Sequence, residues 1–290
     1  MVKYDTKEWF SLIFKFHKSD TFRKLIPGMI FISIYTGLIA FIEINYTGYF
    51  FTSSSAIHSI LGFVLSMLLV FRTNTAYDRW WEGRKAWGSL VNNSRNLAIK
   101  IDSMLPAEAP ERKSIYILIS NYVLSLKNHL RDTFEPRDFL PFESITEEEL
   151  TAKMHKPNYI ASHLLKKANE IRNENKISLE QYLVLNDELK SFTESCGVCE
   201  RIKNTPIPYS YSLFLKKFIF IYIMTMPFGF IDDFGYGTIL LIAFVFYVLV
   251  SLELIAEEIE DPFGGDANDL PTDQICSNIR KNVKEILAVE

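Results

Sequence analysis

Ile60-Leu-Gly-Phe-Val-Leu-Ser-Met-Leu-Leu-Val-Phe71 is the stretch that decides the fold, because it is apolar on nearly every side and ends abruptly at Arg72. It closes a window of 28 residues, 44–71, that contains no Lys, Arg, Asp or Glu. A bilayer core about 30 Å thick requires roughly 20 helical residues at about 1.5 Å each. A core helix of a soluble protein usually keeps one polar face, which this stretch lacks. The pattern therefore predicts a transmembrane helix over about residues 56–72.

The chain contains three more windows of this kind. Residues 25–42 and 234–252 carry no charge over 18 and 19 residues. Residues 218–231 are also uncharged, and residues 211–215 lengthen this window if Lys216 and Lys217 extend their side chains toward the membrane boundary. We therefore predict four transmembrane helices, at about 25–44, 56–72, 211–231 and 234–254.

Basic residues flank these windows on one side of the membrane only. They precede the first window and border the long segment between the second and third, whereas the two short connections carry only Glu43, Asp232 and Asp233. Basic flanks concentrate on the cytoplasmic side. Both termini and residues 73–210 and 255–290 are therefore predicted to be cytoplasmic, in a multi-pass protein of the inner (plasma) membrane with the three acids at its outer mouth. Aromatic residues among the first basic residues predict an interfacial helix on the inner surface; they are Trp9, Phe10, Phe14 and Phe16.

The segment between the second and third windows has a helical period. Residues 114–130 and 177–192 each read as an amphipathic helix, and no strand-like alternation occurs. Residues 143–150, ESITEEEL, predict a helix start with Ser144 or Thr146 as the N-cap. The fold class is therefore an all-α membrane protein with a helical cytosolic part. A net charge of −4 gives no electrostatic basis for nucleic-acid binding.

Catalytic motifs are absent from the sequence, so an enzyme is not expected. The five histidines include no HExxH, and only His155 and His163 lie near each other in sequence. Cys196-Gly-Val-Cys199 has CxxC spacing, but without a second pair or a βαβ context it predicts two buried helix residues. No phosphate-binding glycine loop or nucleophile elbow occurs.

Phe63, Met67 and Phe71 are spaced by four, so they share one face of the second predicted span. Helix packing or lipid contact is the ordinary explanation of such an apolar stripe. Lining of a passage is the alternative, since this span continues without a break signal into the cytosolic segment. The spacing alone leaves both explanations open.

Four sequence runs resemble the bestrophin family of ion channels, in its prokaryotic branch. They are FRTNTAYDRWWEGRKAWG (71–88), CERIKNTPIP (199–208), MPFG (226–229), and EEIEDPFG (257–264) with NDLP (268–271). The similarity extends from the N-terminal segment to about Leu287, which makes residues 1–290 one channel domain. The resemblance implies a homopentamer with a central pore through the bilayer.

The resemblance also implies functional positions. In the family, apolar side chains of the second span form a narrow neck, and the matching residues here are Phe63, Met67 and Phe71. Such rings can gate by dewetting, because they offer an ion no dipoles to replace its water. A cytosolic constriction maps near Glu180, where the family usually has an aliphatic residue; a solvated helix position is an equal alternative.

Animal relatives open on calcium, and the matching segment here retains only Asp266 and Asp269 of a continuous acidic cluster. Two carboxylates with carbonyl oxygens could hold Ca²⁺, which takes six to eight oxygens. A helix C-cap turn, with its glycines at positive φ, accounts for this segment better. We therefore expect no calcium gate and no cofactor.

The function that follows is passive conduction of small monovalent ions. Glu43, Asp232, Asp233 and Glu180 favour cations, although eukaryotic members of the family conduct chloride and other anions. The alternative is a four-span sensor or scaffold whose cytosolic helices bind a partner protein.

Overall fold

A computed structural model of the chain describes residues 21–47, 55–142 and 144–289. All regular structure in these residues is helical, which confirms the predicted all-α class. A π-helical turn, Glu43–Thr47, and two short 3₁₀ turns, Pro136–Asp138 and Gly235–Gly237, complete the regular structure. The interfacial helix predicted around Trp9 lies outside the described residues. The α-helices are α1 (Thr21–Ile42), α2 (Ser55–Met104), α3 (Glu111–Leu130), α4 (Glu147–Ala152), α5 (Lys156–Asn173), α6 (Leu179–Asn204), α7 (Tyr209–Thr225), α8 (Pro227–Phe234), α9 (Thr238–Glu260) and α10 (Thr272–Ile286).

The chain divides into two compact units. The first, called here the apolar unit, contains the described residues up to Trp80 together with Pro206–Asp261 and Asp266–Asn268. The second, called the polar unit, contains Trp81–Thr205, Pro262–Gly265 and the described residues from Asp269 onward.

Three helical stretches of the described chain are long and apolar enough to cross a membrane: Thr21–Tyr46, Ala56–Met104 and Tyr209–Glu260. The last stretch contains the third and fourth predicted spans as the separate helices α7 and α9. Proline has no backbone N–H, which suits the first turn of a helix, so Pro227 begins α8. Gly235 then adopts φ 53°, a conformation that glycine reaches without strain, and α8 ends there.

The core of the apolar unit is aliphatic. Its buried members come from α1, α2, α7 and α9 and from the residue that follows α7; they are Ile32, Leu65, Leu69, Leu215, Ile219, Ile223, Met226 and Ile242. Helix α1 approaches α9 closely at Gly28, where a Cβ atom would lie 2.5 Å from Phe246 Cζ. A side chain at residue 28 would therefore require the Phe246 ring to move.

In the polar unit, α3 is buried along most of its length and packs on α5, α6 and α10. Helix α5 is amphipathic and buries Ile160, Leu164, Ala168 and Ile171 along one face. The Thr146 side chain accepts the Glu149 backbone N–H, and the Glu149 side chain accepts the Thr146 backbone N–H, so α4 begins with a capping box. Of the two predicted N-caps, Ser144 and Thr146, the structure therefore confirms Thr146.

Candidate functional site

Helix α2 presents the predicted neck residues on its exposed side. Phe63, Met67 and Phe71 are 67%, 46% and 60% exposed, and the helix is unbroken through all three. The buried side chains of the same segment, Leu65 and Leu69, lie about 160° away from Met67 at about 100° per residue. The three residues thus form one continuous apolar stripe on the side of α2 opposite its packed side.

A buried ion network fixes α2 immediately beside Phe71. Arg72 is 1% exposed, its Nη2 lies 2.7 Å from Glu260 Oε2, and its Nε lies 3.5 Å from Glu253 Oε2. Glu260 also accepts the backbone N–H of Ile207 at 2.7 Å through Oε1. One carboxylate therefore joins α2, the end of α9 and the segment before α7. Because adjacent helix residues differ by about 100°, anchoring Arg72 on the packed side keeps Phe71 turned outward.

Two further hydrogen bonds support this arrangement. Tyr211 Oη donates to the Leu68 carbonyl at 3.0 Å, and Arg79 Nε donates to the Glu260 carbonyl at 3.1 Å. Sequence inspection missed this network. Arg72 and Glu260 lie in two of the runs shared with the bestrophins, but their separation of nearly two hundred residues hides the pairing.

The predicted outer-mouth acids occupy two different environments. Asp232 and Asp233 are exposed near the end of α8. Glu43 is only 4% exposed, in the π-helical turn that follows α1. The structure therefore offers the charges of Asp232 and Asp233 to solvent and encloses that of Glu43.

Glu180 lies in the first turn of α6 and is exposed. A hydrogen bond of 2.7 Å from Ser178 Oγ, together with the backbone N–H of Glu180, lowers the pKa of its carboxyl below the ordinary value. Anions at a helix N-terminus are also stabilised by the helix dipole. Glu180 is therefore a solvent-facing negative charge at neutral pH, beside the exposed apolar side chains of Leu179 and Leu183.

The segment considered for calcium places its two carboxylates in different environments. Asp266 is exposed and Asp269 is 2% exposed, and neither belongs to a cluster of three potential ligands. The expected positive φ at its glycines is wrong. Among the described residues, positive φ in a glycine occurs at Gly235, and α9 ends instead with Asp261 in an extended conformation.

Three side chains elsewhere in the polar unit meet as a group that could hold a metal ion: His129, His155 and Glu200. His129 Nε2 and His155 Nε2 lie 2.7 and 2.8 Å from Glu200 Oε1. Partial burial works to raise the pKa of the Glu200 carboxyl, but the hydrogen bonds from both imidazoles outweigh it and hold the pKa below its ordinary value. Sequence spacing could not reveal this group, because Glu200 is 71 and 45 residues from its partners.

The cysteines are buried, as predicted for Cys196 and Cys199, and none forms a disulfide. Burial raises the pKa of the Cys196 and Cys276 thiols to about 12. Burial and the neighbouring Cys196 also raise the pKa of Cys199. Since the thiolate is the reactive form, these cysteines are chemically inert at neutral pH.

Comparison with known proteins places these features in a family. A family model described as bacterial/fungal bestrophin protein matches residues 1–285. A voltage-dependent anion channel-forming protein of Nostoc is 34% identical over 239 residues, covering 78% of this chain and 75% of its own. A protein of the same designation from Escherichia coli is 30% identical over 283 residues, covering 96% of this chain and 91% of its own. The crystal structure of a bacterial bestrophin homologue from Klebsiella pneumoniae superposes with a TM-score of 0.85 at 28% identity, covering 92% of this chain and 99% of that one.

Proposed function

The chain belongs to the bestrophin family, and from this premise we propose that it is a homopentameric channel that conducts small monovalent ions passively. The observation that carries the proposal is the exposed stripe of Phe63, Met67 and Phe71 on α2. Exposed apolar side chains on a spanning helix face either lipid or further copies of the chain, and membership of a family whose relatives are named channel-forming proteins favours the second. In a pentamer, five copies would form three stacked apolar rings around the axis.

The rings would act as a gate through hydration. An ion entering an apolar collar loses water without gaining dipoles, so a narrow collar empties of water and blocks conduction. A slight rotation of α2 would turn the side chains of the stripe away from the axis and widen the collar. The Arg72–Glu260 ion pair supports this role, because it controls the rotation of α2 at the level of Phe71.

The lengths and order of the helices fit a chain that crosses the membrane four times. Helices α1, α2, α7 and α9 would each span the bilayer once, with both termini on the cytoplasmic side of the inner membrane. Helix α7 has 17 residues, which gives about 26 Å at about 1.5 Å per residue, slightly less than the hydrocarbon thickness. Because Lys216 is the eighth residue of α7, the part inside the hydrocarbon would start after it and continue into α8, and Lys216 would pair with Glu257 at the membrane boundary.

We assign the channel a preference for cations. The exposed carboxylates of Asp232 and Asp233 would raise the local concentration of cations at the outer mouth, and ionised Glu180 would do so at a cytosolic constriction. The related proteins from Nostoc and Escherichia coli are named for anions. The apolar stripe carries no charge and does not discriminate between these alternatives.

The test is conductance of the purified protein in planar bilayers. Wild-type protein should carry current, and a Met67→Ala, Phe71→Ala double variant should show larger conductance or a higher open fraction. The matched control is Leu240→Ala, which removes a side chain that is 78% exposed on α9. Absence of current from wild type and both variants would support the scaffold function instead.

Selectivity requires a separate measurement under a KCl gradient. The reversal potential should lie toward the potassium equilibrium potential, and it should move toward zero in an Asp232→Asn, Asp233→Asn variant. A reversal potential near the chloride value would contradict the cation preference and leave the channel proposal intact.

A further inference from the structure

We infer that His129, His155 and Glu200 form a binding site for a divalent transition-metal ion of the zinc type. Their ligand atoms all lie within 4.8 Å of one another, although they come from three separate elements. His129 lies in the last turn of α3, His155 immediately precedes α5, and Glu200 lies in α6. The site does not depend on the proposed channel function.

The donor set selects the metal. Two imidazole nitrogens and one carboxylate oxygen are a common three-residue set for Zn²⁺, with water in the fourth position. Imidazole ligands also suit Cu²⁺, Ni²⁺ and Co²⁺, whereas Ca²⁺ and Mg²⁺ require more oxygen ligands than this group provides. The three side chains are 28–33% exposed, which leaves room for a water ligand and a path for the ion.

The charge of the site also favours a cation. Glu200 is ionised at neutral pH, and the hydrogen bonds described for its carboxylate come from the two histidines rather than from a lysine or arginine. The two rings are close, with centroids 4.7 Å apart. A bound ion therefore displaces no described lysine or arginine contact at Glu200, and it needs only a small outward movement of the rings to insert between three ligands already in place.

Metal binding would have a structural consequence at the start of α5. His155 Nδ1 accepts the Asn158 backbone N–H at 3.1 Å and so caps this helix. Without metal the ring proton therefore resides on Nε2, where it is donated to Glu200. A metal bound at Nε2 requires a neutral ring with its proton on Nδ1, so one proton leaves Nε2 and one is gained at Nδ1. The Asn158 N–H then faces another N–H, and the cap must open.

The experiment uses the full-length protein without a histidine tag, in detergent. Titration with Co²⁺ should give the visible absorption of a low-coordinate site at one ion per chain, and excess Zn²⁺ should abolish it. Affinity should fall in the variants His129→Asn, His155→Asn and Glu200→Gln by more than the roughly 10- to 100-fold that loss of a ligand's supporting hydrogen bond costs. His155→Asn is the most informative variant, because asparagine removes the ligand and remains a preferred N-cap.

The matched control is His163→Asn, which removes a partly buried histidine of α5 that lies outside the group. This variant should bind Co²⁺ like the wild type. Amide hydrogen exchange supplies an independent readout, since Zn²⁺ should accelerate exchange at Asn158 in wild type and not in His155→Asn. Failure to bind at about 100 μM metal, which means a Kd weaker than about 10⁻⁴ M, would overturn the inference. Equal affinity of His155→Asn and His163→Asn would overturn it as well.

Discussion

Replacing Glu260 with glutamine should be among the most destabilising single changes in the apolar unit. Both carboxylate oxygens are in use, Oε2 on Arg72 Nη2 and Oε1 on the Ile207 N–H, each at 2.7 Å. Glutamine keeps one acceptor and turns an NH₂ group toward a second donor. The guanidinium, 1% exposed, loses its charged partner at 2.7 Å and keeps Glu253 at 3.5 Å as its carboxylate, whichever of the two donors the remaining glutamine oxygen accepts from. Removing one partner of a buried ion pair typically costs about 3–5 kcal/mol.

The matched control lies one turn away on the same helix. Glu257 pairs with Lys216, but their side chains are 39% and 48% exposed. A pair this exposed contributes about 0–1 kcal/mol, so Glu257→Gln should be nearly neutral. Both variants lose one carboxylate charge, which separates burial from net charge.

The assay is thermal stability of the detergent-solubilised protein, followed by size-exclusion chromatography after heating. At about 2–4 °C per kcal/mol, a loss of 3 kcal/mol lowers Tm by about 6–12 °C for Glu260→Gln, against less than about 4 °C for Glu257→Gln. Equal Tm values for the two variants would refute the reasoning, since they would mean that the Arg72 network contributes no more than a surface pair.

Three other predictions follow from the packing and the titrating groups. Gly28→Ala should cost about 1–3 kcal/mol of unfolding free energy by overpacking against the Phe246 ring and so lower Tm, whereas Gly37→Ala on the same helix meets its nearest side chain at 3.5 Å and should leave Tm unchanged. The three native cysteines should stay unmodified by maleimide at pH 7 until the protein is unfolded, as mass spectrometry would show; rapid labelling would contradict their burial. Burial works to raise the pKa of the Glu111 carboxyl, but the hydrogen bond that Lys176 Nζ donates to it outweighs burial and lowers the pKa overall. The contribution of this pair to the free energy of unfolding is complete above the unfolded-state pKa of about 4.3 and is lost as the pH falls through the lower pKa of the folded state. The difference in Tm between wild type and Lys176→Met should therefore be largest near neutral pH and vanish in acid.

Sequence patterns were sufficient for the local structure. Charge-free windows identify the helices that can cross a membrane, and the Thr146 capping box marks the start of α4, because these signals act over a few residues. The burial of Cys196 and Cys199 follows from the same kind of local reasoning. The shared face of Phe63, Met67 and Phe71 could also be identified, since an unbroken helix fixes which residues lie on one side; their role as a neck stays a prediction.

Contacts between distant segments could not be predicted. Arg72 meets Glu260, and His129 meets Glu200, only because packing brings separate helices together; no spacing in the sequence encodes either pair. The enclosure of Glu43 depends on the turn that follows α1, which charge counting does not detect. The expected positive φ at Gly264 and Gly265 was wrong for a related reason. An extended residue, Asp261, ends α9, and the left-handed conformation is not needed there.

The central claim is that ions pass beside the α2 stripe, and cysteine modification during current recording tests it most directly. Buried native thiols leave the wild type as a silent background. In Met67→Cys, a positively charged thiol reagent should sharply change the current within minutes, while Leu240→Cys should be modified without effect. If mass spectrometry shows complete modification of Met67→Cys and the current is unchanged, ions do not pass this face of α2.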